Sequence, residues 1–210
     1  VVGDPWFNGA GQATLYLGGT SGPSSAPAWT GTGASQARFG EALAAAGDIN
    51  RDGRGDLLVG AEGLGGPRGS AFLYYGTSTG LAAAPAWSVT AVEYSTRFGK
   101  SVASAGDVNG DGFLDVLVGA PDLNAQAEME GRAYLYLGTS SGLSTTAAWT
   151  ADPTDQYGAR FGTSVAGAGD INPDGYADVL IGAPLAGTAP GQGRAYLYLG
   201  SAGGLASTPA

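Results

Sequence analysis

Hydrophobic positions along this chain come in short runs parted by turn-rich stretches, not in long amphipathic arcs. Three of the runs are β-branched and leucine-rich: Leu57-Leu-Val59, Val116-Leu-Val118 and Val179-Leu-Ile181, each followed by Gly-Ala. Runs of this kind, bounded by turn residues, predict strands. A second kind of segment alternates. In Gly-Arg-Ala-Tyr-Leu-Tyr-Leu-Gly (131–138), Ala133, Leu135 and Leu137 fall on one face and Tyr134 and Tyr136 on the other. Neither face is made for water, which predicts a sheet covered on both sides. No segment sustains a helical period, and none has the roughly 18 consecutive apolar residues of a membrane-spanning helix.

The pattern repeats. Phe39, Phe98 and Phe161 are 59 and 63 residues apart, and Trp29, Trp87 and Trp149 are 58 and 62 apart. Each unit runs from Arg-Phe-Gly and a small-residue stretch, through an acidic loop, to the Val-Leu-Val strand. The alternating strand and an Ala-Trp-Thr segment (Ala-Ala-Trp-Thr, 147–150, in one unit) complete it. That gives four strands per unit, here named A to D. Four-stranded sheets that are apolar on both faces and recur along a chain predict the blades of a β-propeller. A β-sandwich is the competing all-β architecture, but it needs no 60-residue repeat. The expected units are 1–38 (partial), 39–97, 98–160 and 161–210 (partial), about three and a half blades. Val1-Val-Gly-Asp-Pro5 aligns with the tail of a strand B, and the last unit lacks its Trp-bearing strand D. Glycine at 39 of 210 residues, with 43% hydrophobic and 13% charged, suits tight turns between buried strands and excludes disorder. The Ser/Ala/Pro-rich stretches 20–27 and 145–148 hold equal places in their units, so they are inter-strand loops.

The acidic loops carry the chemistry. Asp48-Ile-Asn-Arg-Asp-Gly-Arg-Gly-Asp56, Asp107-Val-Asn-Gly-Asp-Gly-Phe-Leu-Asp115 and Asp170-Ile-Asn-Pro-Asp-Gly-Tyr-Ala-Asp178 place side-chain oxygen at positions one, three, five and nine. Glycine stands at position six, where the chain must turn sharply. Hard oxygen donors at this spacing suit Ca²⁺, which takes six to eight oxygens at about 2.3–2.6 Å, with the carbonyl of position seven as the backbone ligand. An EF-hand needs a bidentate Glu at position twelve on an outgoing helix. Position twelve here is Val59, Val118 or Ile181, so the loop joins two strands instead.

Phe-Gly, D-x-N-x-D-G-x-x-D and Val-Gly-Ala-Pro (118–121) or Ile-Gly-Ala-Pro (181–184) together resemble the FG-GAP repeat of integrin α-subunit propellers and their bacterial relatives. The resemblance covers nearly the whole chain. It implies a calcium-bearing rim on a seven-bladed ring, with three Ca²⁺ held as follows. In the first loop the ligands are Asp48, Asn50, Asp52, Asp56 and the carbonyl of Arg54. The second uses Asp107, Asn109, Asp111, Asp115 and the carbonyl of Phe113, and the third Asp170, Asn172, Asp174, Asp178 and the carbonyl of Tyr176. The first repeat departs from the motif by reading Val59-Gly-Ala-Glu62. An array this short cannot close a ring, which implies either a larger propeller or self-association into a homo-oligomer that buries the open faces.

Charge and missing residue types narrow the function. Nine of the 18 acidic residues are loop aspartates, and three Ca²⁺ at two charges each would bring the formal charge from −9 to −3. The acidity therefore marks metal loops, and the lack of a basic stripe argues against nucleic acid. Cysteine and histidine are absent, so thiol and imidazole chemistry are out, and the carboxylate clusters are committed to metal; no catalytic residue is assigned. Loops of this kind fill without regulation where calcium is millimolar, which favours a secreted or cell-surface location. Eight arginines to one lysine lean toward a bacterial source.

The leading expectation is an extracellular module for adhesion or protein recognition. A carbohydrate-binding propeller is the alternative, since some fungal lectins resemble this repeat, with Tyr94 and Tyr157 in the D-to-A loops as its candidates. A noncatalytic domain of a larger secreted enzyme is a third. Trp29, Trp87 and Trp149 are read as blade packing. Arg38, Arg97 and Arg160 are read as pairing with a carboxylate or carbonyl of the neighbouring blade. Arg54-Gly-Asp56 spells the tripeptide that integrins bind, but Asp56 is a loop ligand.

Overall fold

The computed structural model describes residues 1–63, 68–92, 94, 96–123, 129–152, 157–187 and 192–210. Its sheets are antiparallel and follow the repeat. The first blade has strands B, C and D (Val2–Asp4, Gln12–Leu15, Trp29–Thr32). The second has all four: A (Phe39–Gly47), B (Asp56–Ala61), C (Ser70–Tyr74) and D (Trp87–Thr90). The third repeats them as Ser101–Gly106, Asp115–Ala120, Arg132–Tyr136 and Trp149–Ala151. The fourth has A, B and C (Ser164–Gly169, Asp178–Ala183, Arg194–Tyr198). Each of these is a β-propeller blade, and the A strands of successive blades lie against one another along the inner edge. Between strands C and D, two-residue ladders such as Gly76–Thr77 with Gly80–Leu81 form small hairpins.

Strand B lies between strands A and C in the second, third and fourth sheets. All six of its residues are buried in the second and third blades, as its continuous apolar run requires. At roughly 1.5–3 kcal/mol for each fully buried large apolar side chain, residues such as Leu58, Leu117 and Ile181 anchor the stack.

Three devices join one blade to the next, and each reuses a motif residue. The first is a glycine contact. A Cβ on Gly3, Gly60 or Gly119 of strand B would sit 2.2, 2.0 and 2.0 Å from the carbonyl oxygens of Gly40, Gly99 and Gly162 in the following Phe-Gly. Those three glycines have φ of +86°, +84° and +83°, a conformation that non-glycine residues rarely adopt. The pairing explains why both halves of the motif carry glycine.

The second device is tryptophan. The indole N–H groups of Trp29, Trp87 and Trp149 donate to the carbonyls of Ala82, Ser144 and Ala206 in the next blade, at 3.0, 2.8 and 3.0 Å. Their rings meet Tyr74, Tyr136 and Tyr198 edge-on at 4.9–5.2 Å, an arrangement the ring quadrupoles favour. The packing role expected for these tryptophans is what the structure shows.

The third device is charge. Arg97 donates through Nε and Nη2 to Glu62 of the preceding blade at 3.0 and 2.7 Å, and Arg160 lies 3.4 Å from Asp122 of its preceding blade. Arg38 differs. It pairs with Glu41 and Glu62 of the blade it opens, and lies over the Trp6 ring of the blade before. Glu62, the departure from the motif, is fully buried and is the shared carboxylate of Arg38 and Arg97.

Candidate metal loops and the opposite rim

Strand A ends in a bulge one residue before each acidic loop, with Gly47, Gly106 and Gly169 at φ of +80°, +80° and +74°. The bulge re-aims the chain into the loop. All three loops then adopt one hydrogen-bonded shape. The position-one carboxylate caps the turn: Asp48 accepts from the N–H of Asp52 and Gly53 at 2.9 and 2.7 Å. Asp107 does so from Asp111 and Gly112 at 3.1 and 2.7 Å, and Asp170 from Asp174 and Gly175 at 3.0 and 2.9 Å. Asn50 and Asn109 accept a second bond from the position-five N–H, and the side-chain amides of Asn109 and Asn172 donate to Asp111 and Asp174 at 3.0 and 2.8 Å. Position five accepts from position seven in each, through Asp52, Asp111 and Asp174. Aspartate and asparagine suit this work because their short side chains reach backbone N–H groups two to five residues on.

Position nine is different in kind. Asp56, Asp115 and Asp178 open strand B and are buried. One oxygen of each accepts from the N–H of position two (Ile49, Val108, Ile171; 2.8–2.9 Å) and the other from a glycine after strand C (Gly76, Gly138, Gly200; 2.8–2.9 Å). This clamp ties loop to blade, and burial removes Arg54-Gly-Asp56 as an adhesion tripeptide. Burial pushes the Asp115 carboxyl up to about 6, against lowering bonds from Val108 and Gly138, with repulsion from Asp111 and Asp107 adding to the rise. Asp56 is raised for the same reasons.

The loop carboxylates are turned onto the loop's own N–H groups, and among the described residues no three His, Cys, Asp or Glu are gathered about one point. Among the same residues, the only cationic side chain paired with a loop aspartate is Arg54, 3.3 Å from Asp52 on the surface. The chemistry of the set is nevertheless that of a hard-cation cradle: carboxylate and amide oxygens from four positions of one tight turn, like charges repelling, and no competing donor of another type.

The other rim is made by the B–C and D–A connections, which antiparallel strands place opposite the A–B loops. Half of the exposed large apolar residues among those described lie there: Trp6, Phe7, Val92, Tyr94, Tyr157 and Leu185. Arg68 lies over the Tyr94 ring, 4.6 Å from its centroid. Tyr94 and Tyr157 are 62% and 73% exposed, so the expected aromatic candidates are accessible. Trp6 was missed, since it recurs in no other unit; its signal was a large aromatic in a B–C turn. The remaining exposed apolar residues, Val1, Val2, Tyr16, Leu17, Ile171 and Leu180, belong to the first and fourth blades. A cleft of about 560 Å³ opens on the acidic-loop side between the first two blades, lined by Val1, Leu15, Leu17, Leu43, Leu57 and Leu81.

The FG-GAP repeat model matches residues 39–79, 98–136 and 161–198, more than half of the sequence, and the chain belongs to that family. It is 33% identical over 177 residues to integrin alpha-5 of Xenopus laevis, covering 81% of this chain and 16% of that protein. To integrin alpha-8 of Mus musculus it is 37% identical over 177 residues, 79% of this chain and 15% of that protein. To integrin alpha-4 of Xenopus laevis it is 42% identical over 108 residues, 51% of this chain and 10% of that protein. The chain thus spans about a sixth or less of these relatives' length.

Proposed function

We propose that this array is a noncatalytic recognition module that works outside the cell, with calcium as a structural staple in each acidic loop. The observation that carries the recognition role is the sorting of exposed apolar side chains. In the second and third blades the exposed large apolar residues among those described, Val92, Tyr94 and Tyr157, all lie on the D–A loops, whereas those on the acidic side, Val1, Tyr16, Leu17 and Ile171, belong to the first and fourth blades. Exposed aromatics gathered on one face mark interaction sites. The relatives bear the name of integrin alpha subunits, which favours adhesion or protein binding over other uses. The calcium role draws on the three like-folded acidic loops. Asp48, Asn50, Asp52, Asp56 and the Arg54 carbonyl, with their counterparts at 107–115 and 170–178, would hold the ions. Bound Ca²⁺ would neutralise the clustered charge, and the loop N–H network would hold the turn in shape around it.

The carbohydrate-binding alternative rests on the exposed rings of Tyr94 and Tyr157. A glycan array probed with the native chain and with Tyr94→Ala and Tyr157→Ala separates the two readings. Sugar binding that these substitutions abolish supports the lectin; no sugar binding, with protein capture that requires Trp6, Tyr94 or Tyr157, supports the adhesion module. Capture that survives loss of all three rings overturns this rim as the recognition surface.

For assembly, we infer that the faces of the first and fourth blades are covered by further blades, from a second copy or from a larger ring. Leu58 and Leu117 are fully buried, whereas their counterpart Leu180 is 41% exposed. Likewise Ile49 and Val108 are buried and Ile171 is not. Light scattering in calcium and then in chelator tests self-association: a discrete multimer supports it, and a stable monomer in both conditions rules it out.

A further inference from the structure

We propose that Arg51 is a positioning residue for the second acidic loop, holding the peptide that precedes its backbone ligand from one blade away. The inference rests on the calcium reading above. Arg51 occupies position four of the first loop, where it bonds no residue of its own turn. Its Nη2 donates to the carbonyl of Gly112, and its guanidinium carbon lies 3.9 Å from the centroid of the Phe113 ring. Gly112 and Phe113 are positions six and seven of the second loop.

The peptide between them is therefore held at both ends. Its carbonyl accepts from Arg51, and its N–H, that of Phe113, donates to the carboxylate of Asp111 at 2.9 Å. Gly112 has φ of +87° and no side chain to restrain it, so this peptide plane is the softest point of the loop. The planar guanidinium restrains it twice, by a directed hydrogen bond and by a face laid on the neighbouring ring. Fixing this plane orients both the Asp111 carboxylate and the Phe113 carbonyl that follows.

The other two loops lack this support in different ways. In the third, position seven (Tyr176) meets position four of the second loop, but that residue is Gly110, whose added Cβ would lie 2.7 Å from the Tyr176 ring. The contact is packing alone. A backbone bond from Ala177 to the Asp107 carbonyl, 2.9 Å, completes it. In the first loop nothing lies within 4 Å of the position where a Cβ on Gly53 would stand. Adjacent loops thus touch through positions four and seven, and Arg51 supplies the one charged link among the described residues.

A guanidinium near a bound cation also repels it, so geometry and charge predict opposite signs. Arg51 is exposed, and its charge is screened at ordinary salt; its hold on the peptide is not. Arg51→Ala should weaken cation binding at the second loop by about 5–20-fold, within the usual range for coupling between sites. Arg51→Lys, with charge but no planar fork, should weaken it too, by less.

The test uses the full 210-residue chain and Ca²⁺ alone, followed by the amide resonances of Gly53, Gly112 and Gly175. Each donates to the position-one aspartate of its own loop and so reports one loop. The expected result is a Gly112 midpoint moved to higher calcium in Arg51→Ala, with Gly53 and Gly175 within twofold of the native chain. Unchanged midpoints, an equal shift of all three, or tighter binding at Gly112 would overturn the positioning role while leaving the calcium loops intact. No response of any glycine in the native chain to millimolar Ca²⁺ would overturn the calcium reading, and this inference with it.

Discussion

On the rim of the A–B loops, three nine-residue segments reach one hydrogen-bonded shape from partly different sequences. On the opposite rim the loops expose different side chains from one blade to the next: Trp6 and Phe7, then Val92 and Tyr94, then Tyr157. The acidic rim spends its polar groups inward, on its own backbone and on strand B. The other rim leaves aromatic surface in water. A repeat can hold its form while varying its surface because the two jobs fall at opposite ends of the same strands. Constraint sits where the chain must turn around clustered charge, and freedom sits where loops only need to connect.

On the calcium reading proposed above, removing the ion should break the comparison most strongly, because it would act on all three acidic loops and on no residue of the other rim. An ion at 100 times its dissociation constant stabilises the folded state by about 2.7 kcal/mol per site. Thermal unfolding in calcium and in chelator should therefore differ by many degrees; coincident curves would reduce the loops to solvated turns. Asp115→Ala comes next. It leaves the buried N–H groups of Val108 and Gly138 without their acceptor, at about 1–3 kcal/mol each, so urea unfolding should show a loss of about 3 kcal/mol. A loss under about 1 would mean that strand B holds the loop without the clamp.

Glu62→Gln probes the junction between blades at the rim opposite the acidic loops. It keeps the shape but removes the charge shared by Arg38 and Arg97, and breaking buried pairs costs about 3–5 kcal/mol. Both arginines are partly exposed, so the expected loss in urea unfolding is nearer ~2 kcal/mol; no loss would make the cluster incidental. Smallest of all, Tyr94→Ala and Tyr157→Ala should change stability by less than about 0.5 kcal/mol. A larger effect in either would show that the ring packs the fold and is not held out for a ligand.

The strands and loops were legible because their contacts are local or periodic. Leu57-Leu-Val59 reads as a strand by composition, and the structure extends it to Asp56–Ala61. The observed loop turns involve bonds only two to five residues apart, such as Asp48 to Gly53, which is why nine letters suffice to announce them. Position nine was legible as a loop residue, but not as a clamp on the glycine after strand C. Asp56 and Gly76 are 20 residues apart, and no spacing rule joins them. The C–D hairpins had a signal, the recurring Gly-Thr-Ser-x-Gly-Leu at 76–81 and 138–143, which turn chemistry explains once the ladders are seen.

By itself, then, the sequence determined the blade, its repeat number and its acidic turns, because each is encoded within one unit of about 60 residues. Only the tertiary structure decided what meets across units. It set Glu62 between two arginines, aimed each tryptophan N–H at a carbonyl 53 to 57 residues on, laid Arg51 on the next loop, and left Trp6, Tyr94 and Tyr157 in water. The physical reason is that a hydrophobic period and a turn motif fix which face a residue takes. Which partner waits on that face is set by how one blade stacks against the next.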